Sequence, residues 1–350
     1  MPRTLVTGGA GFMGSHVVDE LVRMGHTVVV MDDLSGGFEV NINPRAQFRK
    51  ASVVDDEAVK SLFSEFRFDY VFHLAAYAAE GLSHFIKAFN YLNNLIGSVN
   101  LINASVNLGT VKCFVFTSSI AVYGQNQVPM REDLTPEPED PYGIAKLAVE
   151  RELHVSQAMF GLPYLIFRPH NVYGERQNLG DRYRNVIGIF MNQAMKNEPF
   201  TIFGDGTQTR AFSHIGDVAP LVAHSIERGN LYGNVFNIGA NEPYTVLDLA
   251  KAVAEAMDVS LRIRHLPPRY EVDHAYADHS KAHEALGDLV AGIPLREGLA
   301  RMAKWARRQG PQTVRSFHRL EIARNLPPSW TADAEEEQGN SELALLLSHD

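Results

Sequence analysis

The chain has 350 residues, enough for two modest domains or one domain with a substantial lobe, and its 45% hydrophobic content is typical of a globular protein. A net charge of −9 without a long basic run argues against a nucleic-acid-binding surface, and no apolar run is long enough to cross a membrane. The single cysteine, Cys113, cannot form an internal disulfide, and the amino terminus lacks the features of a signal peptide, so we expect a cytoplasmic protein.

Strands and helices alternate through the first half of the chain. The pattern predicts strands in "TLVTG", "HTVVVMDD", "AQFRKAS", "DYVFHLAA", "VKCFVFTSS" and "PYLIFRP". Helices are predicted over about 11–24, 56–66 and 84–107, and another begins near Tyr142. Apolar strands separated by helices are typical of a parallel sheet buried on both faces, so residues 1–168 are predicted to form a doubly wound α/β domain.

The pattern loosens after Arg168. Helices are predicted over about 186–196 and 215–228 and in "TVLDLAKAVAEAMD", with short strands in "NVFNIG" and "LRIRHLP". We expect residues 169–310 to form a smaller α/β lobe, with the chain crossing back to the first domain. Residues 327–350 combine prolines with an acidic run, which predicts a disordered tail.

A glycine-rich loop follows the first predicted strand. In "VTGGAGFMGSH", Gly8, Gly11 and Gly14 allow a tight turn and close approach of the backbone to a pyrophosphate at a helix N-terminus. Asp32 follows the second strand, where a carboxylate accepts hydrogen bonds from ribose hydroxyls and repels a 2′-phosphate. No arginine stands nearby, so the pattern predicts NAD rather than NADP. The alternative is a glycine turn beside a solvated aspartate pair, Asp32 and Asp33.

A tyrosine and a lysine stand four residues apart in "EDPYGIAKLAVERELH". Asp140 and Pro141 predict an N-cap followed by the first helical position. Tyr142 and Lys146 then lie on one helix face, so the phenol and the ammonium can point at the same place. Such a pair also arises by chance, and its meaning depends on the other motifs.

Further motifs stand in a fixed order along the chain. They are "HLAA" at 73–76, "TSSIAVYG" at 117–124, "YGIAK" at 142–146, "RPHNVYGERQ" and "GDGTQTRAFSHIGDV". With the glycine loop, they resemble the extended short-chain dehydrogenase/reductases, specifically the NAD-dependent nucleotide-sugar epimerases and dehydratases, and most closely the UDP-glucose 4-epimerases. The resemblance covers about residues 3–310. It implies a Rossmann-type doubly wound parallel sheet with a nucleotide-sugar-binding lobe over 169–310.

The resemblance implies that Ser119, Tyr142 and Lys146 act together. A phenol has a pKa of about 10, so a base working near neutral pH needs a depression of roughly three units. Lys146 and a positively charged nicotinamide ring can both favour the phenolate, and Lys146 can also hold the nicotinamide ribose. Ser119 can donate to the sugar oxygen and relay the proton, whereas Ser118 stands one residue before the active position.

The residues after Ser119 bear on the type of reaction. Family members that eliminate water or carbon dioxide resemble "TDEVYG" or "SEVYG", whereas Ile120 and Ala121 occupy the acidic positions here and cannot transfer a proton. The resemblance therefore implies C4 epimerisation by transient oxidation to a 4-keto sugar, with UDP-glucose/UDP-galactose or also the N-acetylhexosamine pair as substrates. Two alternatives remain: another enzyme of the family, such as an epimerase of a UDP-uronic acid, and a non-catalytic NAD-binding regulator.

The resemblance also implies which residues line the site. Those expected at the cofactor are Gly8, Gly11, Phe12, Met13, Gly14, Asp32, Asp33, Leu74, Ala75, Ala76, Asn94, Tyr142, Lys146 and His170. Ser52 and Val53 replace the acidic residue that commonly holds adenine. Those expected at the nucleotide sugar, a UDP-hexose, are Ser119, Tyr142, Asn171, Asn185, Val186, Phe203, Arg210, Arg269 and Ala275. Arginine suits a diphosphate because its planar fork binds two oxygens, although Arg269 is one residue out of register. No metal site is predicted.

Further expectations concern assembly and breadth of substrate. The 84–107 helix and the Tyr142 helix carry more apolar surface than one sheet face needs, and relatives pair these helices, so a homodimer is expected. Ala275 stands where relatives line the pocket beside the sugar's 2-position, and a small residue there admits an N-acetyl group. His214 and Asp217 are expected to be structural. The unusual 77–91 segment has two readings: its polar side chains Glu80, His84 and Lys87 either face the sugar or begin a solvated helix.

Overall fold

The computed structural model describes residues 1–125, 128–268, 272–314, 317, 320–327 and 330. The first part alternates strands and helices. Its elements are β1 (Arg3–Thr7), α1 (Phe12–Arg23), β2 (Thr27–Asp32), β3 (Gln47–Lys50), α2 (Asp56–Phe66), β4 (Tyr70–His73), α3 (Glu80–Ser83), α4 (Lys87–Tyr91), α5 (Gly97–Leu108), β5 (Cys113–Thr117), α6 (Pro141–Phe160) and β6 (Tyr164–Pro169).

The second part has shorter strands and packs largely around its helices. Its elements are β7 (Val172–Tyr173), α7 (Val186–Met195), β8 (Phe200–Phe203), β9 (Thr209–Ala211), β10 (Ser213–His214), α8 (Ile215–His224), β11 (Asn234–Ile238), β12 (Pro243–Thr245), α9 (Val246–Met257), β13 (Ile263–Leu266), β14 (His274–Ala275), α10 (Ser280–Leu286) and α11 (Leu295–Gln309).

Seven strands form one parallel sheet in the order β11-β6-β5-β4-β1-β2-β3. One face is covered by α1, α8 and α10, and the other by α2, α5 and α6. Both faces are buried, which explains why the strands read as continuous apolar runs. The doubly wound parallel sheet predicted from the sequence is confirmed, and β11 joins its edge from the C-terminal part of the chain.

Three elements differ from the sequence-based expectation. The helix predicted over 84–107 instead begins at Lys87, contains a π-helical turn at Leu92–Ile96 and ends at Leu108, and a separate turn of helix precedes it. A π-helical turn changes which residues face inward, and Asn94 in this turn is buried. The helix predicted over 215–228 passes into a 3₁₀ turn at Ser225–Glu227. Helix α11, which the sequence analysis does not predict, buries Leu295, Leu299 and Met302 at helical spacing.

The lobe has its own core, formed chiefly by α7, α9 and α11. Three small sheets, β12-β9-β14, β10-β7 and β13-β8, connect these helices to the main sheet. Of the tail predicted from 327, the structure describes Pro327 and Trp330, and Trp330 is buried. Within the described ranges no helix combines the length and apolarity that a membrane crossing requires.

A buried pair of histidines joins the two parts of the chain. His170 follows β6, and its Nε2 lies 2.9 Å from Nε2 of His279, which precedes α10. Nδ1 of His170 lies 3.1 Å from the Ala211 carbonyl oxygen, a geometry that suits an N–H donor. Burial lowers the pKa of His170 to about 4 and that of His279 to about 3, so both rings are neutral near pH 7.

This pair predicts an acid-sensitive stability. An unfolded histidine binds a proton near pH 6.5, whereas folded His170 resists protonation down to about pH 4. The free energy of unfolding should therefore fall as the pH drops through this window, by roughly 3 kcal/mol for one such group. The thermal unfolding midpoint should depend less steeply on pH in His279→Gln than in the wild type. In His283→Gln, a surface control, its pH dependence should be unchanged. If His279→Gln kept the full pH dependence of the wild type, the acid sensitivity could not be attributed to the histidine pair.

Candidate active site

The glycine loop forms a cradle at the carboxyl end of β1. Gly8 has a left-handed backbone (φ 71°), and a Cβ there would lie 2.7 Å from the amide nitrogen of Ala75. A Cβ on Gly14 would overlap the carbonyl oxygen of Gly8. Helix α1 begins immediately after Gly11 with no side-chain cap, so its N-terminal amides face the cavity beside the loop. The loop therefore fits a bound pyrophosphate without side-chain obstruction.

Asp32 ends β2 beside this loop. Its carboxylate accepts hydrogen bonds from the amides of Ala10 (3.0 Å) and Leu34 (2.8 Å), which fixes its orientation. Burial raises the pKa of Asp32, and these backbone hydrogen bonds oppose the rise. Asp33 also lines the cavity, and the pair forms an acidic floor suited to ribose hydroxyls rather than to a 2′-phosphate.

Two residues expected at the adenine lie at the rim of this cradle. Ser52 and Val53 line the cavity after β3, where no carboxylate is available. Val53 packs closely against Gly97 of α5, and its carbonyl accepts a hydrogen bond from Asn100. This corner of the cavity therefore combines the Ser52 hydroxyl with the apolar Val53 side chain.

Asn94 is placed differently from the other expected cofactor residues. Its side-chain oxygen accepts from the Tyr77 amide (2.8 Å), and its side-chain nitrogen donates to the Tyr77 carbonyl (3.0 Å) and to Asn90 (2.7 Å). Asn94 is buried outside the cavity lining and holds the segment that follows β4. Leu74, Ala75 and Ala76, at the start of that segment, do line the cavity.

The tyrosine and lysine of α6 meet at the centre of the cavity. Asp140 caps the helix by accepting from the Gly143 amide (2.9 Å), with Pro141 at the first helical position as predicted. Tyr142 is buried, and Nζ of Lys146 lies 5.7 Å from the centre of its ring. Nζ of Lys146 donates to the Thr117 carbonyl at 2.8 Å. Burial lowers the pKa of Lys146 to about 7, and the Glu150 carboxylate opposes this effect.

Ser119 completes the group from the end of β5. Its hydroxyl hydrogen-bonds the Tyr142 phenol, which favours the phenolate, and accepts from the Ala121 amide at 3.1 Å. Burial has the larger effect and raises the pKa of Tyr142, and the nearby acids Glu80 and Asp140 act in the same direction. The Ser118 hydroxyl, by contrast, donates to Glu150 at 2.5 Å.

A buried ion pair lies directly behind Lys146. Glu150, one helical turn further along α6, accepts two hydrogen bonds from Arg168 of β6, at 2.9 Å and 2.5 Å. Arg168 also donates to the Tyr123 hydroxyl (2.6 Å), which donates to Asn237 of β11 (2.9 Å). These side chains satisfy one another inside the protein, so the position of α6 is fixed relative to two strands.

The expected substrate residues lie on the lobe side of the cavity. Asn185 caps α7 by accepting from Ile187 (3.2 Å), and Asn171 donates to the Ala211 carbonyl (3.1 Å). Arg210 on β9 donates to the Asp273 carbonyl (2.9 Å) and to that of Val272. These contacts hold the Arg210 guanidinium against the chain that leads to β14. The remaining expected residues on this wall are Val186, Phe203 and Ala275.

One continuous cavity of about 550 Å³ connects the cradle with the lobe. Except for Asn94, every expected site residue within the described ranges lines it, and Arg269 lies outside those ranges. His214 and Asp217 are absent from the lining: His214 accepts from the Gly216 amide, and Asp217 accepts from the amides of Gly292 and Ile293. Their contacts are structural, as expected.

Sequence reasoning left several lining residues unassigned. They comprise Gly36, Gly37, Tyr77, Gln177, Asn178, Asp181, Tyr183, Arg184, Gln208 and Trp330. Gln177 and Gln208 stand inside two of the quoted motifs, whereas the others lie outside any recognised motif. Glu80 and His84 of the unusual 77–91 segment also line the cavity, whereas Lys87 does not.

Comparison with known proteins agrees with this arrangement. Residues 4–239 match the model of the NAD-dependent epimerase/dehydratase family. A putative UDP-glucose 4-epimerase of Methanocaldococcus jannaschii is 34% identical over 306 residues, which are 86% of this chain and 97% of the relative.

Two solved structures extend the comparison. A UDP-glucose 4-epimerase of Thermotoga maritima, crystallised with UDP-glucose, is 38% identical with a TM-score of 0.84, and the match covers 88% of this chain and 99% of the other. A UDP-glucuronic acid 4-epimerase of Bacillus cereus, in complex with UDP-glucuronic acid and NAD, is 30% identical with a TM-score of 0.80 over 88% and 99% of the two chains. The chain therefore belongs to the NAD-dependent epimerase/dehydratase family of enzymes, with NAD as its cofactor.

Proposed function

We propose that this protein epimerises a UDP-hexose at C4, interconverting UDP-glucose and UDP-galactose. The observation that carries the proposal is the cavity itself, which Ser119, Tyr142 and Lys146 line together with the glycine cradle and Arg210. Ile120 and Ala121 line the same cavity, where members that eliminate a group from the sugar carry acids. NAD, when bound in the glycine cradle, would supply the redox chemistry as an acceptor and donor of hydride.

Tyr142 is the proposed base at the sugar's C4 hydroxyl. Its phenolate would remove the hydroxyl proton during oxidation and return it during reduction. Since burial raises the pKa of Tyr142, neighbouring groups must stabilise the phenolate for it to form near neutral pH. Ser119 already hydrogen-bonds the phenol, and an ammonium at Lys146 would add a positive charge on the same face of α6.

Lys146 and Ser119 have further proposed tasks. Nζ of Lys146 donates one hydrogen bond to the Thr117 carbonyl, and its other N–H groups can donate to ribose hydroxyls. Ser119 has one hydroxyl proton, which favours the phenolate when it is donated to Tyr142, so the hydroxyl can relay a proton between the sugar oxygen and Tyr142 while its oxygen accepts from the Ala121 amide. We propose that Arg210, Asn185, Asn171, Val186 and Phe203 bind the nucleotide and diphosphate.

The charges near Tyr142 favour a neutral hexose over a uronic acid. Glu80, Glu139 and Asp140 line this end of the cavity. The guanidinium of Arg184 already pairs with Asp181 at 2.6 Å. A sugar carboxylate would meet several acids and a neutralised arginine, which disfavours its binding. The UDP-uronic acid epimerase remains the second candidate because a solved relative acts on that substrate class.

Incubation with a panel of UDP-, dTDP- and GDP-sugars, followed by separation of the products, tests the proposal. We expect UDP-glucose and UDP-galactose to interconvert without any added oxidant or reductant. Tyr142→Phe should lose about 10²–10⁴-fold in rate while still binding NAD, because the ring still packs but the proton acceptor is gone. Tyr164→Phe, a core substitution in β6, is the matched control.

The outcomes separate the candidate functions. Exclusive turnover of a UDP-uronic acid would select the second candidate. Tight NAD binding without turnover of any nucleotide sugar would point to a non-catalytic regulator. A Tyr142→Phe rate above about a tenth of wild type would reject Tyr142 as the base.

We also propose that the pocket admits an N-acetylated hexose. Ala275 is buried at the cavity wall on β14, opposite Arg210 of β9. Its methyl group leaves space that a tyrosine ring would fill. UDP-N-acetylglucosamine and UDP-glucose should therefore both be epimerised.

Ala275→Tyr should lower kcat/KM selectively for the acetylated sugar, by about tenfold or more, because the added ring overlaps the acetamido group. Ala275→Ser, which keeps the side chain small, is the control. Equal losses on the two sugars, or a wild type that is inactive on the acetylated one, would count against this assignment.

Homodimer formation is proposed on a separate observation. Helix α6 exposes Ile144, Val155 and Met159 along one face, and the neighbouring helix exposes Leu92 and Ile96. These five side chains are between 43% and 69% exposed. A contiguous apolar patch of this kind is unusual on the surface of a monomer. A second copy packed on this face would remove them from water.

Light scattering at micromolar concentration should give the mass of a dimer. Replacing Ile96 and Val155 together by arginine should give a monomer, because the charges would be buried without partners. Val40→Arg, at an apolar residue that is 88% exposed elsewhere, should leave the dimer intact. A monomeric wild type would rule the proposal out.

A further inference from the structure

A segment that follows α11 folds back over the cavity. Its described residues, Phe317, 320–327 and Trp330, are called here the C-terminal arm. The T. maritima structure is matched over 99% of its length by 88% of this chain, which leaves about 42 of the 350 residues without a counterpart. Nearly the same number, 310–350, follows α11. The unmatched share of the chain and the part that follows α11 are thus of similar length.

Glu321 fastens the middle of the arm. Its carboxylate accepts hydrogen bonds from the amides of Ala88 (2.7 Å) and Phe89 (2.8 Å), in the first turn of α4. The amide of Glu321 donates to the Phe85 carbonyl (2.9 Å), as does that of Ile322 (3.2 Å). A carboxylate at a helix N-terminus is stabilised by the unpaired amides there.

Two aromatic residues, Phe317 and Trp330, fix the arm on either side of Glu321. Phe317 packs against Phe89 (5.0 Å between ring centres) and Tyr77 (5.4 Å), and its amide donates to the Tyr183 hydroxyl (3.1 Å). Trp330 packs edge-to-face against Tyr183 (5.0 Å) and Phe85 (5.9 Å). The arm thus joins the 77–91 segment to the loop that contains Tyr183.

Trp330 is buried to all but 7% and lines the cavity. A Cβ on Gly81 would lie 3.8 Å from its indole ring, which places Gly81 beside the indole at contact distance. Glu80, the next residue, is close enough to Tyr142 to influence its phenol. The adenine end of the cavity, at Asp32 and Ser52, belongs to different elements. Trp330 is therefore on the sugar side.

We propose that Trp330 forms the wall of a hexose subsite, with its indole ring packed against the sugar that is bound beside Tyr142. An indole offers a flat apolar surface to the C–H groups of a pyranose, and its N–H can meet a hydroxyl. The arm would also exclude water from this end of the cavity. This inference rests on the proposed function for the identity of the sugar.

Fluorescence tests the contact without requiring turnover. The chain has two tryptophans, and Trp305→Phe leaves Trp330 as the only one. UDP-glucose should produce a saturable change in its emission, whereas UDP alone should produce little change. Equal responses to the two ligands, or no response to UDP-glucose at concentrations that support turnover, would overturn the proposal. A response in a protein that turns over no sugar would leave the subsite standing and reject the reaction.

Kinetics provides the second test. Trp330→Ala should raise KM for UDP-glucose about tenfold with kcat and NAD affinity little changed, because it removes binding energy that is equal in ground and transition states. Trp330→Phe keeps an aromatic ring against Tyr183 and should recover most of the affinity. Trp305→Phe is the matched control. If Trp330→Ala leaves KM unchanged, or if Trp330→Phe is as impaired as Trp330→Ala, the indole is not a sugar contact.

Discussion

The buried ion pair between Glu150 and Arg168 connects the parts on which the site depends. Glu150 stands on the same helix as Tyr142 and Lys146, and Arg168 lies on the strand that leads to the lobe. Through Tyr123 and Asn237 the hydrogen bonds continue to β11 and to the carbonyl of Met130. Removing one partner would leave a charge buried without compensation, which costs about 3–5 kcal/mol. The pair is consequently a strong constraint on where α6 can lie.

This constraint explains why one helix can serve two halves of the cavity. The carboxyl ends of parallel strands meet at one edge of the sheet, so the glycine loop after β1 and Ser119 after β5 already face the same space. Helix α6 brings Tyr142 and Lys146 to that edge. The histidine pair His170–His279 then fixes the lobe against the end of β6. The glycine cradle, the group formed by Ser119, Tyr142 and Lys146, and the lobe are held together by contacts that lie behind the cavity.

The opposite wall is built in another way. The segment after β4 is held by Asn94, whose amide satisfies the backbone of Tyr77, and by Ser83, whose hydroxyl accepts from the Tyr142 amide at 3.3 Å. The C-terminal arm packs on this segment through aromatic rings. Such a wall relies on side-chain packing more than on strand pairing. It is therefore the part of the site where specificity can vary while the sheet stays the same.

The sequence alone determined the parallel sheet, the glycine cradle with Asp32, and the placement of Tyr142 and Lys146 on one helix face, because these follow from strand patterns, backbone geometry and short-range helical spacing. Ser119 was implied by the resemblance to the family. The sequence did not determine the role of Asn94, the pairing of His170 with His279, or the burial of Trp330 beside Tyr183. Each of these joins residues that are not neighbours in the chain, and the two histidines are separated by 109 positions. No local pattern records such a contact. Only the folded packing brings the partners together and decides which side chains the cavity receives.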